Sequence, residues 1–123
     1  MATGGLERLR RRADYLRVQG AERRSAQPGL LLQAAPAVDL PGPPEFQGIR
    51  IGFTASRKVG NAVLRNRARR RLKALARELL QAHAQPGHDY VLVARQATPE
   101  RAYGDLRRDL EAALKRLKLW RAA

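Results

Sequence analysis

The 123-residue chain contains no cysteine, which excludes disulfides, thiolate nucleophiles, iron–sulfur clusters and cysteine-based zinc sites. Aromatic residues are scarce at 5%, and there are only two histidines. Acids are few as well: 11 Asp plus Glu stand against 25 Lys plus Arg, for a net charge of +14 at pH 7. No apolar run approaches the ~18–20 residues of a membrane span. The first twelve residues carry charge with no apolar segment behind them, so they do not read as a secretory signal. What is present is 44% hydrophobic residues, enough for a core, in a length of about one domain. Self-repulsion at this charge opposes compaction unless a polyanion is the usual partner. The expectation is therefore one cytoplasmic domain, residues 1–123, that binds something acidic. Of the 25 bases only Lys58, Lys73, Lys115 and Lys118 are lysines. Arginine's planar fork suits phosphates, but a GC-rich coding sequence gives the same bias, which alone decides nothing.

Residues 1–8 read as a basic, frayed leader. A short helix follows, with Leu9, Ala13 and Leu16 at helical spacing and Gly20 as its stop. Residues 30–34 form a strand candidate, and there is room for another around residues 23–27. Residues 35–48 carry Pro36, Pro41, Pro43 and Pro44 and read as a Pro-rich inter-strand loop. From residue 49 to 56, Ile51, Phe53 and Ala55 alternate with Arg50, Gly52, Thr54 and Ser56, the period of a strand. Gly60 and Asn61 then turn the chain into its longest helix, residues 62–83. Leu64, Ala68, Leu72, Leu75 and Leu79 make the apolar stripe of that helix. Residues 90–94 are a compact buried strand. Thr98 and Pro99 resemble an N-cap with Pro at the first helical position, opening a helix whose stripe is Leu106, Leu110, Ala113, Leu117 and Trp120.

Charge concentrates in one stretch. Between Phe46 and Arg77 there are ten bases and no acid. On a helical wheel Asn66, Arg70, Lys73 and Arg77 point away from the leucine stripe, Arg65, Arg67 and Arg69 flank it, and Arg71 borders the core. A helix that needs only solubility mixes both signs at i,i+4, which this one does not do before Glu78. A solvated face is the plain alternative, but like charges this dense favour a helix that tracks phosphates.

Catalytic constellations are lacking. His83 ends a helix and His88 sits in a turn, with no carboxylate pair at metal spacing, so capping or surface roles fit them better. Ser25 and Ser56 have no histidine near them in sequence, and no triad is supported. The scattered acids argue against a two-metal nuclease. No catalytic residue and no metal ligand is therefore expected in this chain. An RNA-recognition motif lacks its paired aromatics, because Gly52–Phe53 is followed by Thr54–Ala55. A KH domain lacks its G-x-x-G loop. A double-stranded-RNA-binding domain shares the helix–strands–helix order but ends before the strand at Tyr90.

Residues 50–73, RIGFTASRKVGNAVLRNRARRRLK, resemble the signature of the bacterial ribonuclease P protein subunit family. The match comprises Gly52, Arg57–Lys58, Gly60–Asn61–Ala62–Val63, Arg65–Asn66–Arg67 and Arg69–Arg70. Leu9, Tyr15, the strand from Asp89 to Arg95 and Tyr103 extend it over almost the whole chain. The resemblance implies an α+β fold, an α-β-β-β-α-β-α two-layer sandwich like the second domain of a ribosomal protein, with a left-handed β-α-β crossover. It implies the protein subunit of ribonuclease P, a ribonucleoprotein endoribonuclease that removes the 5′ leader of precursor tRNA. The catalytic groups would lie in the RNA subunit, with Mg2+ held mainly by that RNA and the substrate. The implied partners are the catalytic RNA and precursor tRNA, with no membrane and no obligate protein partner. Arg57, Lys58, Asn61, Arg65, Asn66, Arg67, Arg69, Arg70 and Lys73 would contact RNA. Tyr15, Leu31, Gln33 and Thr54 would line a cleft for the leader. The chain departs from the family pattern at Gln19 and Gln33, where aromatics are usual. The alternative reading is a non-catalytic structured-RNA-binding module of ribosomal or double-stranded-RNA-binding type.

Overall fold

The computed structural model describes residues 6–38, 42–43 and 48–122. Five strands form one sheet: β1 (Leu6–Arg8), β2 (Arg23–Ala26), β3 (Leu30–Pro36), β4 (Ile49–Thr54) and β5 (His88–Ala94). Their spatial order is β1-β4-β5-β3-β2. β5 runs parallel to β4 and antiparallel to β3, so it is the central strand. Its run of Tyr90, Val91 and Leu92 is wholly buried, as a strand covered on both faces requires.

Helix α1 (Arg12–Gly20) lies between β1 and β2. Helix α2 (Ala62–Leu75) continues through a π-helical turn (Ala76–Leu80) into a last α turn (Gln81–His83) and connects β4 to β5. Helix α3 (Tyr103–Arg116) follows β5. The sheet and the α2–α3 layer enclose the main core, in which Leu30, Leu32, Ile51, Tyr90 and Leu92 meet Ala68, Leu72, Leu75, Leu106 and Leu110. The alternate residues of the same strands face α1, where Val18, Ala35 and Val91 make a smaller cluster with Tyr15 and Val93.

Several expectations change. Trp120 lies beyond the last helix, which ends at Arg116, and His88 opens β5 rather than sitting in a turn. Residues 6–8 are not frayed, because β1 pairs in parallel with β4, Leu6 opposite Ile49 and Arg8 opposite Ile51; the frayed reading of residues 1–5 lies outside the described residues. The loop expected over 35–48 begins later, because Ala35 and Pro36 still pair with Asp89 and His88; residues 39–41 and 44–47 of that loop are also outside the described residues. The last helix opens at Tyr103 rather than at Thr98–Pro99. The Thr98 hydroxyl instead donates to the Gly29 carbonyl at 2.6 Å and accepts from the Arg95 amide at 2.7 Å, which ties the β2–β3 turn to the chain beyond β5. In α1, Leu16 is 53% exposed and Ala13 is exposed, while Asp14 and Val18 are buried. Charge pairing, together with Val18 and Tyr15 against the sheet, docks that helix in place of the expected stripe.

Candidate nucleic-acid interface

Helix α1 is held on the sheet by a ladder of opposite charges. Asp89 of β5 is fully buried and accepts from Arg50 of β4 through Nε and Nη2, both at 2.7 Å. Arg17 of α1 donates to the same carboxylate and to the Pro36 carbonyl at 2.8 Å. Asp14 receives Arg11 at 3.1 Å and Arg17 at 3.3 Å. Burial pushes the Asp14 carboxyl up, but the hydrogen bonds from Arg11 and Arg17 outweigh it and hold the group below its ordinary value. Arg17 and Arg50 are thus occupied inside the fold, while Arg11 stays exposed.

Beyond the ladder the sheet dispenses with side chains to let α1 approach. Tyr15 lies so close to Gly52 that a Cβ there would meet its ring at 2.5 Å. The phenol donates to the Leu9 carbonyl at 3.4 Å. Tyr15 and Thr54 then share one open groove with Leu16, Gln19, Arg10 and Arg12. Strand register sets the rest of this face: Leu31, Val93 and Thr54 form one row, and Gln33, Val91 and Gly52 the next. Leu31 is thus on the expected face but two strands from Thr54, about 10 Å away at normal strand spacing. Gln33 shares the face but is only 5% exposed, so it offers no stacking surface. Its Oε1 has no hydrogen-bond partner among the described residues. The sequence reading missed Arg10, Arg12 and Leu16 as groove residues, while Gln19 stands at one of the two departures it named; the run of three arginines before Ala13 was the available signal.

On the opposite side of the sheet, α2 displays its basic face. Gly60 sits at φ 142°, and a Cβ there would meet Leu64 at 2.5 Å. Asn61 caps the helix, its side chain accepting from the Leu64 amide at 3.0 Å. Gly60 and Asn61 therefore shape the helix start, and the Asn61 oxygen is already used. Arg65 donates to the Gly60 carbonyl at 3.2 Å. Arg71 donates to the Thr98 carbonyl at 2.7 Å and to that of Arg101, the border position expected of it. Asn66, Arg69, Arg70 and Lys73 line an outward hollow with Val63, which is 72% exposed. Arg69 donates to the Asn66 side-chain oxygen Oδ1 at 3.0 Å. Arg57, Lys58 and Arg67 are exposed, the first two on a short 3-10 turn before α2. Among the described residues no group of three or more His, Asp or Glu is arranged to hold a metal ion. The arrangement is one for binding polyanions: a basic helix face, and a groove with an aromatic wall and two arginines at its mouth.

Known proteins resemble the chain both in sequence and in fold. A family profile described as Ribonuclease P matches residues 5–118. The chain is 53% identical over 114 residues to the ribonuclease P protein component of Paramagnetospirillum magneticum, covering 91% of this chain and 83% of that one. It is 44% identical over 117 residues to that of Ruegeria pomeroyi, covering 94% and 90%. The RNase P protein of Staphylococcus aureus superposes with a TM-score of 0.73 at 24% identity, covering 92% of this chain and 96% of that one. The protein from Thermotoga maritima gives 0.70 at 24% identity, covering 89% and 96%. At such identities the structural likeness speaks for the fold.

Proposed function

The chain belongs to the bacterial ribonuclease P protein family, and on that premise we propose that it uses two faces for two RNAs. The α2 face binds the catalytic RNA, through Arg67, Arg69, Arg70 and Lys73 with Arg57 and Lys58 beside them. The α1 groove takes the single-stranded 5′ leader of precursor tRNA, with a base against Tyr15 and backbone phosphates near Arg10 and Arg12. Cleavage itself belongs to the RNA subunit, with Mg2+ held mainly by that RNA and the substrate. The chain's part is to hold the leader and to offset phosphate repulsion in the assembled particle. Its place of work in this reading is the cytoplasm.

The observation that carries this reading is the acid-free charge of α2, six bases between Ala62 and Leu75 without one carboxylate, set on the far side of the sheet from the Tyr15 groove. A single-face RNA binder of ribosomal type needs no such second groove. The test is addition of the purified chain to ribonuclease P RNA at near-physiological magnesium. Faster cleavage of precursor tRNA is expected, with no processing by the chain alone. Cleavage without RNA that co-purifies with the chain and is lost on point mutation would overturn the assignment of catalysis to the RNA.

A further inference from the structure

Where β1 passes α2 at the edge of the sheet, the surface forms a notch of ≈ 200 Å³ on the core side of β4. Its floor is apolar, made by Leu6, Ile51 and Phe53, and its rim carries Arg8, Lys73 and Arg77. The Arg8 guanidinium stands 5.8 Å from the Phe53 ring centre. Glu7 is the one acid at the rim, and none of the ion pairs among the described residues joins it to these three cations. Phe53 is only partly buried, although it is one of just two phenylalanines in the chain. Covering an apolar edge would be reason enough for Arg8 alone. It does not explain three cations gathered round an aromatic floor in a molecule already carrying +14.

We infer that this notch receives one unpaired nucleotide of the catalytic RNA, its base against Phe53 and its flanking phosphates on Arg8 and Arg77. Unpaired bases stack on aromatic rings and guanidinium planes, and the rim supplies phosphate donors on both sides. Lys73 lines both the notch and the α2 hollow that holds Asn66, Arg69 and Arg70. A strand tracked by α2 therefore reaches the notch without a break in positive charge. Arg8 also borders a hollow with Arg10 and Tyr15 on the α1 side, so the assignment to the RNA subunit rather than to the substrate rests on the continuity through Lys73. This inference rests on the reading of α2 as the face for that RNA.

The test uses the full chain and the ribonuclease P RNA without substrate, with affinity measured over a series of salt concentrations. Arg8→Gln and Arg77→Gln each remove one phosphate contact and should lower the log–log salt slope by roughly 0.7–0.9. Phe53→Leu keeps an apolar floor but removes the ring. It should weaken binding about tenfold with the slope unchanged, the mark of a base rather than a phosphate. Base-specific chemical probing should find a nucleotide protected by the parent chain and exposed with Phe53→Leu. Parent-like affinity and slope in Arg8→Gln and Arg77→Gln overturn the inference, even should Phe53→Leu fail to fold, since both arginines are exposed. Protection that appears only when precursor tRNA is added overturns the assignment to the RNA subunit. Arg70→Ala is the reference: if it too binds like the parent, the α2 reading itself has failed, and the notch falls with it.

Discussion

Tyr15 has its position because position 52 has no side chain. The ring rests where an alanine Cβ would stand 2.5 Å from it, so one face packs on the sheet and the rest borders the groove. Stacking of a base on such a ring contributes roughly 1–3 kcal/mol. Tyr15→Ala should therefore weaken holoenzyme affinity for precursor tRNA about tenfold, since 1.4 kcal/mol is a factor of ten. Affinity for mature tRNA, which lacks the leader, should stay as it was. Gly52→Ala should give the same pattern by displacing the ring. Equal losses for both tRNAs would make Tyr15 a packing residue only. Gln33 behaves oppositely. Its buried oxygen has no partner among the described residues, and such a group costs about 1–3 kcal/mol. Gln33→Met should thus raise the thermal midpoint of the free protein, which a melting curve would report. A lower midpoint would reveal a hydrogen bond that the unpartnered oxygen does not suggest.

At the scale of elements, α2 separates two kinds of arginine. Arg67 and Arg70 are exposed, whereas Arg71 reaches two carbonyls beyond β5. Arg67→Ala and Arg70→Ala should each lower the salt slope of RNA binding by roughly 0.7–0.9, with stability changed by less than ~0.5 kcal/mol. Arg71→Ala should do the reverse, leaving the slope alone and destabilising by about 1–3 kcal/mol through its orphaned carbonyls. A helical wheel placed all three correctly, because the leucine stripe of α2 is long enough to fix its rotation. Helix α1 was misread for the converse reason. It has nine residues, and its inward face includes Asp14, which no hydrophobic pattern can announce.

Docking of α1 by charge has a pH signature. The Asp14 carboxyl is held below its ordinary value in the folded protein, so the folded state binds fewer protons than the unfolded one. The stability it contributes is present above the unfolded pKa of about 3.9 and is lost as pH falls through the folded value. Thermal melts of the parent chain should therefore show a loss at acid pH that is smaller in Asp14→Asn. Identical acid limbs in the two proteins would mean that the Arg11 and Arg17 contacts do not bias the carboxyl.

For the whole molecule, the α+β class, the basic helix and the buried strand at Tyr90 were legible in the sequence because each rests on periodicity sustained over several residues. The strand Leu6–Arg8 was not, since three residues carry no period and its partner lies over forty positions away. Nor was the groove mouth of Arg10 and Arg12, because the chain is basic nearly everywhere. The opening of α3 was misplaced because Thr98–Pro99 is a sound local cap signal that a tertiary contact with Gly29 overrides.

The central place of β5 governs how the chain acquires this structure during synthesis. β2 pairs with β3, and β1 with β4, but no ladder joins these two pairs until residues 88–94 arrive between them. Non-local pairing of this kind delays folding until the distant segment is available. A nascent chain ending at residue 87 has every base from Arg8 to Arg77 and no closed sheet to display them. It should show little strand signal in circular dichroism and melt without cooperativity, while extension through α3 should restore a sharp transition. Until β5 emerges from the ribosome, the chain is a tethered polycation surrounded by RNA. The two faces proposed to bind RNA thus exist only once the fifth strand closes the sheet.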